Sequence, residues 1–516
     1  MRDVVVVGAG HNALVAACYL ARAGLDVEVV ERDTVVGGAV STVERFAGYR
    51  MDRGSSAHIM IRQTGIVEDL ALDDCGLVYQ DLDPWGFAPF GPPGEQQALT
   101  FWADVDRTCA SIEAMCGLRD ADAYARFVAD WGARNERIFA AFAEPPTGRN
   151  LGRRLWGVGR DTGLPGLELA RQFLQPADAL LDAWFTDERL KTALAWLGAQ
   201  SGPPTHEVAT ADLVGWGTML HRCPPGHPVG GSGRLSEALA RRFASYGGAL
   251  RLGDGAARIL QYDGRVTGVQ TESGDLVAAR RVVAGCHVLT TLALLGDPHL
   301  LRHKAPQVRV GNGIGMVVRL ACRDLPRYPA ASDDSYRALQ LVCGSRQQLR
   351  RAHGEFSAGL PPSEPAVLAM TFSAFDDTIA PAGRHNVTIW GQWHPYALST
   401  GEQWDTIGRR EGEKLVAALD AAAPGFAGGV EQMHVQTPLD LERELGLLHG
   451  NVMHVEMALD AMFAWRPLPE WSGYRGPCEG LYLCGASTHP GGGVFGASGR
   501  SAAHVLLRDL GRRHRR

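Results

Sequence analysis

The stretch VVVVGAGHNALVAACYLARAGLDVEVVER, residues 4–32, decides the predicted fold. Its run of valines is typical of a buried parallel strand, and this strand ends in Gly8-Ala9-Gly10. Small and apolar residues at helical spacing follow, and a second apolar run stops at Glu31. This order of strand, glycine turn, helix and strand predicts a βαβ unit.

Four residues of this unit have defined tasks if it binds a nucleotide. Gly8 permits the tight turn, and Gly10 lets the backbone approach a pyrophosphate, while Ala13 is small enough for close helix packing. The helix N-terminus offers N–H groups and a partial positive charge to phosphates. Glu31 lies where such units place the acid that binds the ribose. Plain βαβ packing is the alternative, but the whole pattern favours a nucleotide site.

The composition is that of a large enzyme with more than one domain. The chain has 516 residues, and its net charge of −6 gives no reason to expect a nucleic-acid partner. No apolar run is long enough to span a membrane, and no secretory signal precedes the first strand, so we expect a cytoplasmic protein. The ten cysteines are scattered without zinc spacing, so we expect reduced thiols and no metal site.

The residues after Glu31 indicate which nucleotide is bound. Arg32 begins a segment that ends in the pair Gly37-Gly38, which a simple NAD-binding fold does not require. The spacing is typical of FAD enzymes, in which a second loop approaches the cofactor. The segment GYRMDRGSSAH, residues 48–58, follows at the distance of the strand that runs under the flavin ring in such enzymes.

Two later segments agree with a flavin site. PVGGSGRL, residues 228–235, opens a predicted helix, and strands are predicted at 249–252, 257–262, 266–272 and 281–285. No strand precedes these glycines, so they do not indicate a separate NAD(P) site. Near the C-terminus a short strand ends at Gly485, and ASTHPGGGVFGASG leads into a helix predicted for 500–510. Such a backbone can come close to a ligand, and the helix N-terminus can stabilise the negative charge of a reduced flavin.

The motifs GAGHNALVAA, ER-x4-GG, PVGGSGRLSEAL and GLYLCGASTHPGGGVFGASG resemble those of the bacterial phytoene desaturases and related carotenoid desaturases. These FAD-dependent oxidoreductases belong to the wider group that includes the amine oxidases. The resemblance covers nearly the whole chain. It implies an α/β fold with a discontinuous Rossmann-like FAD-binding domain of the GR2 type, in residues 1–75, 225–300 and 455–516. The α+β substrate domain, with an antiparallel sheet and a helical cap, would take 76–224 and 301–454, with 105–220 mostly helical.

The resemblance also implies which residues bind FAD. Glu31, followed by Arg32, would bind the adenosine ribose, and the backbone around Ala256 would meet the adenine. The remaining contacts fall on the phosphates, the ribitol and the flavin: Gly8, Gly10, Ala13, Gly37, Gly38, Gly485, Ala486, Gly493 and Val494. Many relatives carry Arg after the glycine pair, whereas this chain has Ala39.

The predicted reaction removes a hydride and a proton from a small apolar or aromatic molecule and leaves C=C or C=N. Oxygen or a quinone would reoxidise the flavin. Flavin-dependent isomerisation is one alternative, and the other is a non-catalytic lipid- or prenyl-binding protein like the escort proteins of prenylated GTPases. Tryptophans of the helical segment could wall the pocket or belong to the core: Trp131, Trp156, Trp184, Trp196 and Trp216.

The prediction for the catalytic base rests on histidines in the motif segments. His58 and His489 lie on segments expected beneath and beside the flavin, so they are the candidates for a base. His11 is expected to be structural and His454 to be a core residue. The run at 153–156, RRLW, with the arginine tail 512–516, could touch an anionic membrane surface or could be a solvated charge run.

Overall fold

A parallel five-stranded sheet is the centre of the first unit in the computed structural model, which describes residues 1–511. The arginine tail 512–516 lies outside the described residues. All neighbouring strands are parallel, although they come from distant parts of the chain. Their spatial order is β19 (Leu481–Leu483), β13 (Val282–Ala284), β1 (Val4–Val7), β2 (Val27–Val30) and β9 (Ala249–Arg251). The predicted discontinuous Rossmann-like fold is confirmed, and every strand of this sheet lies in the predicted FAD-binding segments.

The valine run of β1 is continuous because both faces of the sheet are covered. Val4 and Val6 pack into an apolar cluster with three helices, whereas Val5 and Val7 pack into a second cluster with a three-stranded meander. The helices are α1 (His11–Arg22), α10 (Gly233–Ser245) and α16 (Ala497–Asp509). The meander consists of β10 (Ala256–Tyr262), β11 (Arg265–Thr271) and β12 (Leu276–Ala278).

Helix α16 begins three residues before the predicted start at residue 500, within the glycine-rich motif. Gly499 lies inside the helix, where a Cβ would overlap the backbone carbonyl of Asn12 in α1. The glycine therefore serves close packing between α1 and α16 and not loop flexibility, which the sequence pattern alone did not distinguish. Gly496, with a φ of +69°, makes the turn that precedes the helix.

A seven-stranded sheet forms the substrate unit. Its spatial order is β18 (Val430–Gln436), β14 (Gly315–Cys322), β17 (His385–Gln392), β16 (Val367–Met370), β15 (Leu339–Val342), β6 (Gly86–Phe90) and β7 (Gln97–Phe101). The neighbouring strands are antiparallel as predicted, except that β15 and β6 are parallel. Helix α14 (Trp404–Ala422) packs on the sheet.

The helical cap predicted over 105–220 is present. It consists of α3 (Val105–Cys116), α4 (Leu118–Phe142), α5 (Gly148–Thr162), α6 (Gly166–Phe173), α7 (Ala177–Trp184), α8 (Glu188–Ala199) and α9 (Ala211–Gly215). Two short antiparallel pairings complete the strands: β3 (Thr42–Phe46) with β4 (Tyr49–Asp52) within the first unit, and β5 (Tyr79–Asp81) with β8 (Gly226–Pro228) between the two units. The remaining helices are α2 (Ile66–Asp69), α11 (Val288–Leu295), α12 (Pro298–Lys304), α13 (Arg346–Ser357) and α15 (Pro438–Leu445). Within residues 1–511, none of the helices combines the length and apolar composition that crossing a bilayer requires.

Candidate active site

The first turn of the βαβ unit leaves an uncapped helix terminus. Gly8 has a φ of +90°, and Gly10 precedes α1 without a side-chain cap. The first turn of α1 also contains no acidic residue, so its N–H groups and positive dipole end are available to an anion. A Cβ on Gly285 would press on Ala13, which explains why a small residue is needed at position 13.

The second glycine loop packs directly on this turn. The N–H of Gly37 donates to the carbonyl of Ala9 at 2.8 Å, and Gly37 has a φ of +109°. A Cβ on Gly37 would overlap the carbonyl of Val40, whereas a Cβ on Gly10 would meet nothing within 4 Å. The two loops therefore form a cradle that is tight against the protein at Gly37 and open in front of Gly10.

Glu31 holds the cradle and keeps capacity for a ligand. It is 8% exposed, and its carboxylate accepts the N–H of Ala9 at 2.6 Å and that of Asp33 at 2.9 Å. Each carboxylate oxygen has a further lone pair, so ribose hydroxyls can still donate to it. The N–H of Asp254 donates to the Glu31 carbonyl at 3.0 Å, which brings the segment leading to Ala256 beside the predicted ribose site.

The exposed Arg32 belongs to the same corner of the site. A Cβ on Gly255, next to Ala256, would press on the Arg32 side chain. The structure therefore brings together the segments predicted for ribose and adenine, although the individual contacts with the nucleotide stay predictions.

A buried arginine fastens the loop at the far end of the site. The Arg466 guanidinium has no exposed surface and donates to six backbone carbonyls, those of Met453, Val455, Glu456, Ala461, Ala486 and Thr488. Burial lowers its pKa to about 9, so it stays charged at neutral pH. This clamp holds the segment around 453–461 against the glycine-rich C-terminal loop. Arg466 was not among the residues predicted from the sequence, in which it stands between Trp465 and Pro467 without a pattern that marks a ligand or a clamp.

The arrangement fits FAD. The cradle suits a pyrophosphate, and Oδ1 of Asn12 and Nε2 of His11 are buried at the start of α1 without a hydrogen-bond partner. The side chain of Val494 lines a cavity, and its N–H forms no hydrogen bond in the described part of the chain. Gly485 lies so close to Gly285 that a Cβ there would press on the Gly285 carbonyl at 2.7 Å.

The cavity of about 340 Å³ lies between the glycine loops and the seven-stranded sheet. At one end its wall is backbone and small side chains, including Ala39, Ala486 and Gly493. At the other end its wall is apolar and comes from the sheet and the cap, for example Leu368 and Trp216. Within residues 1–511 no Asp, Glu, Lys or Arg side chain lines it, and its titratable lining residues are His11 and His454.

The structure does not bring the predicted bases, His58 and His489, to the cavity. Nδ1 of His58 lies 2.7 Å from the Tyr79 hydroxyl and Nε2 lies 2.8 Å from the Ser232 hydroxyl, and burial lowers its pKa to about 3. Nε2 of His489 lies 3.0 Å from the Ala141 carbonyl, and burial lowers its pKa to about 4. Neither ring lines the cavity, so the geometry does not favour a base role for either one. Their positions next to motifs did not reveal the directions of their side chains.

The two histidines that do line the cavity are those expected to be structural or core. His11 begins α1 and has a hydrogen bond to the Gly493 backbone, and burial lowers its pKa to about 4. His454 has an unusual backbone φ of +64°, and burial lowers its pKa well below the ordinary value. Both rings are therefore neutral at pH 7.

The five tryptophans predicted to wall the pocket or to belong to the core differ in position. Trp131 and Trp196 are buried in the cap cluster, and Trp184 is half-buried against it. Trp156 is 66% exposed. Only Trp216 of the five lines the cavity, and its Nε1 is buried without a hydrogen-bond partner.

Known proteins share this organisation along the whole chain. The NAD(P)-binding Rossmann-like domain family matches residues 6–71. Pyridine nucleotide-disulfide oxidoreductase domain-containing protein 2 of Rattus norvegicus is 31% identical, over 98% of this chain and 94% of its own length. A limonene dehydrogenase chain from Castellaniella defragrans is 26% identical over 99% and 95%. The phytoene dehydrogenase of Streptomyces griseus is 26% identical over 95% and 92%.

A solved structure shares the fold. An oxidoreductase from Methanosarcina mazei superposes with a TM-score of 0.63 at 14% identity, covering 98% of this chain and all of the other.

Proposed function

The chain belongs to the phytoene desaturase-related family of FAD-dependent oxidoreductases, and from this we propose that its substrate is a neutral, apolar small molecule. The observation that supports this substrate class is the cavity wall, which carries no charged side chain in residues 1–511. A cationic amine or a carboxylate would lose its hydration there and gain no counter-ion. A hydrocarbon or another neutral apolar molecule would gain by leaving water.

The residues of the chain bind and orient this molecule and exclude water. Bound FAD supplies the acceptor for a hydride equivalent. The apolar end of the cavity, with Leu368, Met370 and Trp216, holds the carbon skeleton of the substrate. The backbone at Gly493 and Val494 would fix the plane of the flavin ring, against which the substrate lies. Because the cavity of about 340 Å³ includes the space at Gly493 and Val494 where the flavin would lie, only part of this volume is left for the substrate.

The route to the cavity forms a second part of the proposal. Apolar side chains are exposed on α5, on α6 and on the loop between α8 and α9. Examples are Trp156 at 66%, Leu167 at 89% and Val208 at 72%. Helix α5 also carries four arginines and one aspartate. Phe173 of α6 packs in the cluster that contains Trp216, so apolar surface continues from this face to the cavity. We propose that the face contacts an anionic membrane in which an apolar substrate is dissolved.

Flotation with vesicles of phosphatidylcholine, with and without phosphatidylglycerol, tests this contact. We expect binding only to the anionic vesicles, and Trp156→Asp should weaken it about tenfold, since an exposed aromatic side chain can contribute about 1.5–3 kcal/mol when buried. Tyr262→Asp is the matched control, because Tyr262 is 80% exposed on the meander. Equal loss in both variants, or a dimer that Trp156→Asp dissociates, would contradict membrane contact.

Anaerobic reduction of the holoenzyme tests the substrate class. We expect limonene or phytoene in detergent to bleach the flavin and to lose two hydrogens, as measured by mass spectrometry, while benzylamine leaves the flavin oxidised. Isomerised product without bleaching would support the isomerase alternative. Bleaching by the amine alone would overturn the apolar assignment.

A further inference from the structure

We propose that His454 accepts the proton that leaves the substrate carbon next to the hydride-donating carbon, and that His287 is the positioning residue that holds His454. This proposal rests on the proposed function. In the reaction the hydride takes one C–H electron pair to FAD, which is reduced. The neighbouring C–H bond breaks, its electron pair becomes the new π bond, and its proton forms an N–H bond on the imidazole.

The composition of the cavity wall leaves two side chains that could take this proton. His11 and His454 are the titratable residues of the lining in the described chain. His11 begins α1 beside the phosphate cradle and hydrogen-bonds to Gly493, so it lies at the cofactor end. Other residues near the cavity have hydroxyl or amide groups, which are much weaker bases than imidazole.

His454 lines the cavity directly after two residues that contact the C-terminal loop and the substrate sheet. The adjacent Met453 packs so closely on Gly492 of the C-terminal loop that a Cβ on Gly492 would overlap it. On the other side the N–H of Val452 donates to the carbonyl of Gly313 at 3.0 Å, just before strand β14 of the substrate sheet. A base that removes a proton next to the hydride donor has to lie at such a junction.

The backbone of His454 is held in a conformation that non-glycine residues rarely adopt. Its φ is +64°, and its N–H donates to the Asn451 carbonyl at 3.1 Å. Its carbonyl lies 3.0 Å from Nε2 of His287, whose ring stacks on the His454 ring at 5.7 Å between centroids and 8° between planes. Strained residues kept in place by several contacts often mark functional sites.

The tautomer of His287 follows from its two hydrogen bonds. Nδ1 of His287 accepts the N–H of Leu289 at 3.1 Å, so Nε2 carries the proton and donates to the His454 carbonyl. His287 is 2% exposed and so has no other role at the cavity. It fixes the backbone and the ring plane of His454, which makes it a positioning residue.

The charges around His454 suit a base of low strength. Burial is the main cause of its lowered pKa, and His287, Arg466 and His11 lower it further. Glu456, two residues away, is buried and hydrogen-bonded to Asn312 and Met457, and burial raises its pKa. A weakly basic ring is sufficient because departure of hydride leaves positive charge on carbon and makes the neighbouring C–H strongly acidic. The protonated ring, whose pKa is lowered by burial and by Arg466, gives its proton to water that enters the cavity after the product has left.

Stopped-flow reduction by limonene tests the role in the holoenzyme. We expect His454→Gln to reduce the flavin about 10²–10⁴-fold more slowly, with unchanged FAD affinity and flavin spectrum. His287→Ala should lower kcat with little change in KM, and His287→Gln should restore most of the rate because its amide can still donate to the His454 carbonyl.

His449→Gln is the matched control, since His449 shares the left-handed backbone, with a φ of +55°, but is exposed and outside the cavity lining. A near wild-type rate in His454→Gln would overturn the proposal.

A second measurement does not depend on turnover. In holoenzyme with ¹³C-labelled histidine rings, the signal missing from His454→Gln identifies His454, and we expect it to shift when limonene is added. An unmoved signal would overturn the placement of His454 against the ligand. A moved signal with a flavin that neither limonene nor phytoene reduces would support that placement and overturn the oxidation, so the two failures are distinguishable.

Discussion

The two ends of the cavity are built in different ways. The cofactor end is made of backbone: Gly493 lines the cavity there, the Arg466 clamp holds its loop, and the cradle of Gly10 and Gly37 lies beyond it. The substrate end is made of apolar side chains that come from strands and helices far apart in the chain, such as Trp216 and Leu368. Ligand contact through backbone therefore restricts residue type strongly, whereas contact through apolar side chains restricts only size and polarity.

The largest effect is expected for Gly37→Val. The residue has a φ of +109°, and a Cβ would overlap the Val40 carbonyl, so the second glycine loop cannot keep its place on the first. We expect no FAD in the purified protein and a lowered melting temperature, measured by absorbance and circular dichroism. Gly24→Ala is the control, because Gly24 has a φ of +80° but open space around its Cβ position. Full FAD content in Gly37→Val would show that the loops do not form the cradle.

Gly493→Val should separate ligand contact from protein contact. The nearest atoms to its Cβ position belong to the Phe495 ring at 3.5 Å, so the protein itself leaves room for a side chain. The residue lines the cavity, and a branched side chain there would meet the flavin. We expect a folded protein with FAD affinity lowered at least about 100-fold by titration, although its φ of +102° adds some strain. Normal affinity would remove this loop from the flavin contact.

Glu31→Gln should have a smaller effect at the same end. The amide keeps the shape, but its NH2 group replaces one of the two oxygens, so the N–H of Ala9 or that of Asp33 loses its acceptor and faces another donor, and the charge assistance to the ribose hydroxyls is lost. Hydrogen bonds to charged groups contribute about 1.5–3 kcal/mol, so we expect FAD binding about tenfold weaker or more by fluorescence titration. Unchanged affinity in a folded variant would refute the ribose assignment.

The contrast explains what the sequence could predict. The motif at Gly8 and Gly10 could be interpreted because few residue types supply the positive φ of Gly8 or a backbone without a Cβ at Gly10, and Glu31 could be interpreted from its place at the end of the second strand of the βαβ unit. The valine run with this motif predicted the βαβ unit, whereas the discontinuous FAD-binding domain and the α+β substrate domain were predicted from the resemblance to the phytoene desaturases. The parallel pairing of β6 with β15 could not be predicted, because about 250 residues separate the two strands and periodicity does not specify a partner.

The direction of individual side chains was another feature that could not be predicted from the sequence. His58 lies near a cavity-lining segment, yet its ring points to Tyr79 and Ser232, while His454, which was expected to be a core residue, lines the cavity. The left-handed backbone of His454 and the stacking of His287 on it depend on contacts between distant segments. Residue type at a motif therefore predicts which segments meet at the cofactor site but not where a side chain points, and the individual FAD contacts and the identity of the base stay predictions.

Trp216→Phe should give the smallest effect and sharpens the description of the substrate end. The Trp216 ring lines the cavity, and its Nε1–H is buried without a partner in the described structure. Phe keeps an aromatic wall and removes this donor, so FAD affinity should not change. For limonene, which has no acceptor, we expect KM to stay within about threefold, because only packing is altered. For carvone, a ketone with the same carbon skeleton, a hydrogen bond of about 0.5–1.5 kcal/mol could be lost, which would raise its dissociation constant about two- to tenfold.

Parallel KM and dissociation measurements on the two compounds decide whether the substrate end recognises a pure hydrocarbon. A selective loss for the ketone would show that the tryptophan donor is available to an oxygenated substrate, and a large loss for limonene would contradict a wall that acts through shape alone.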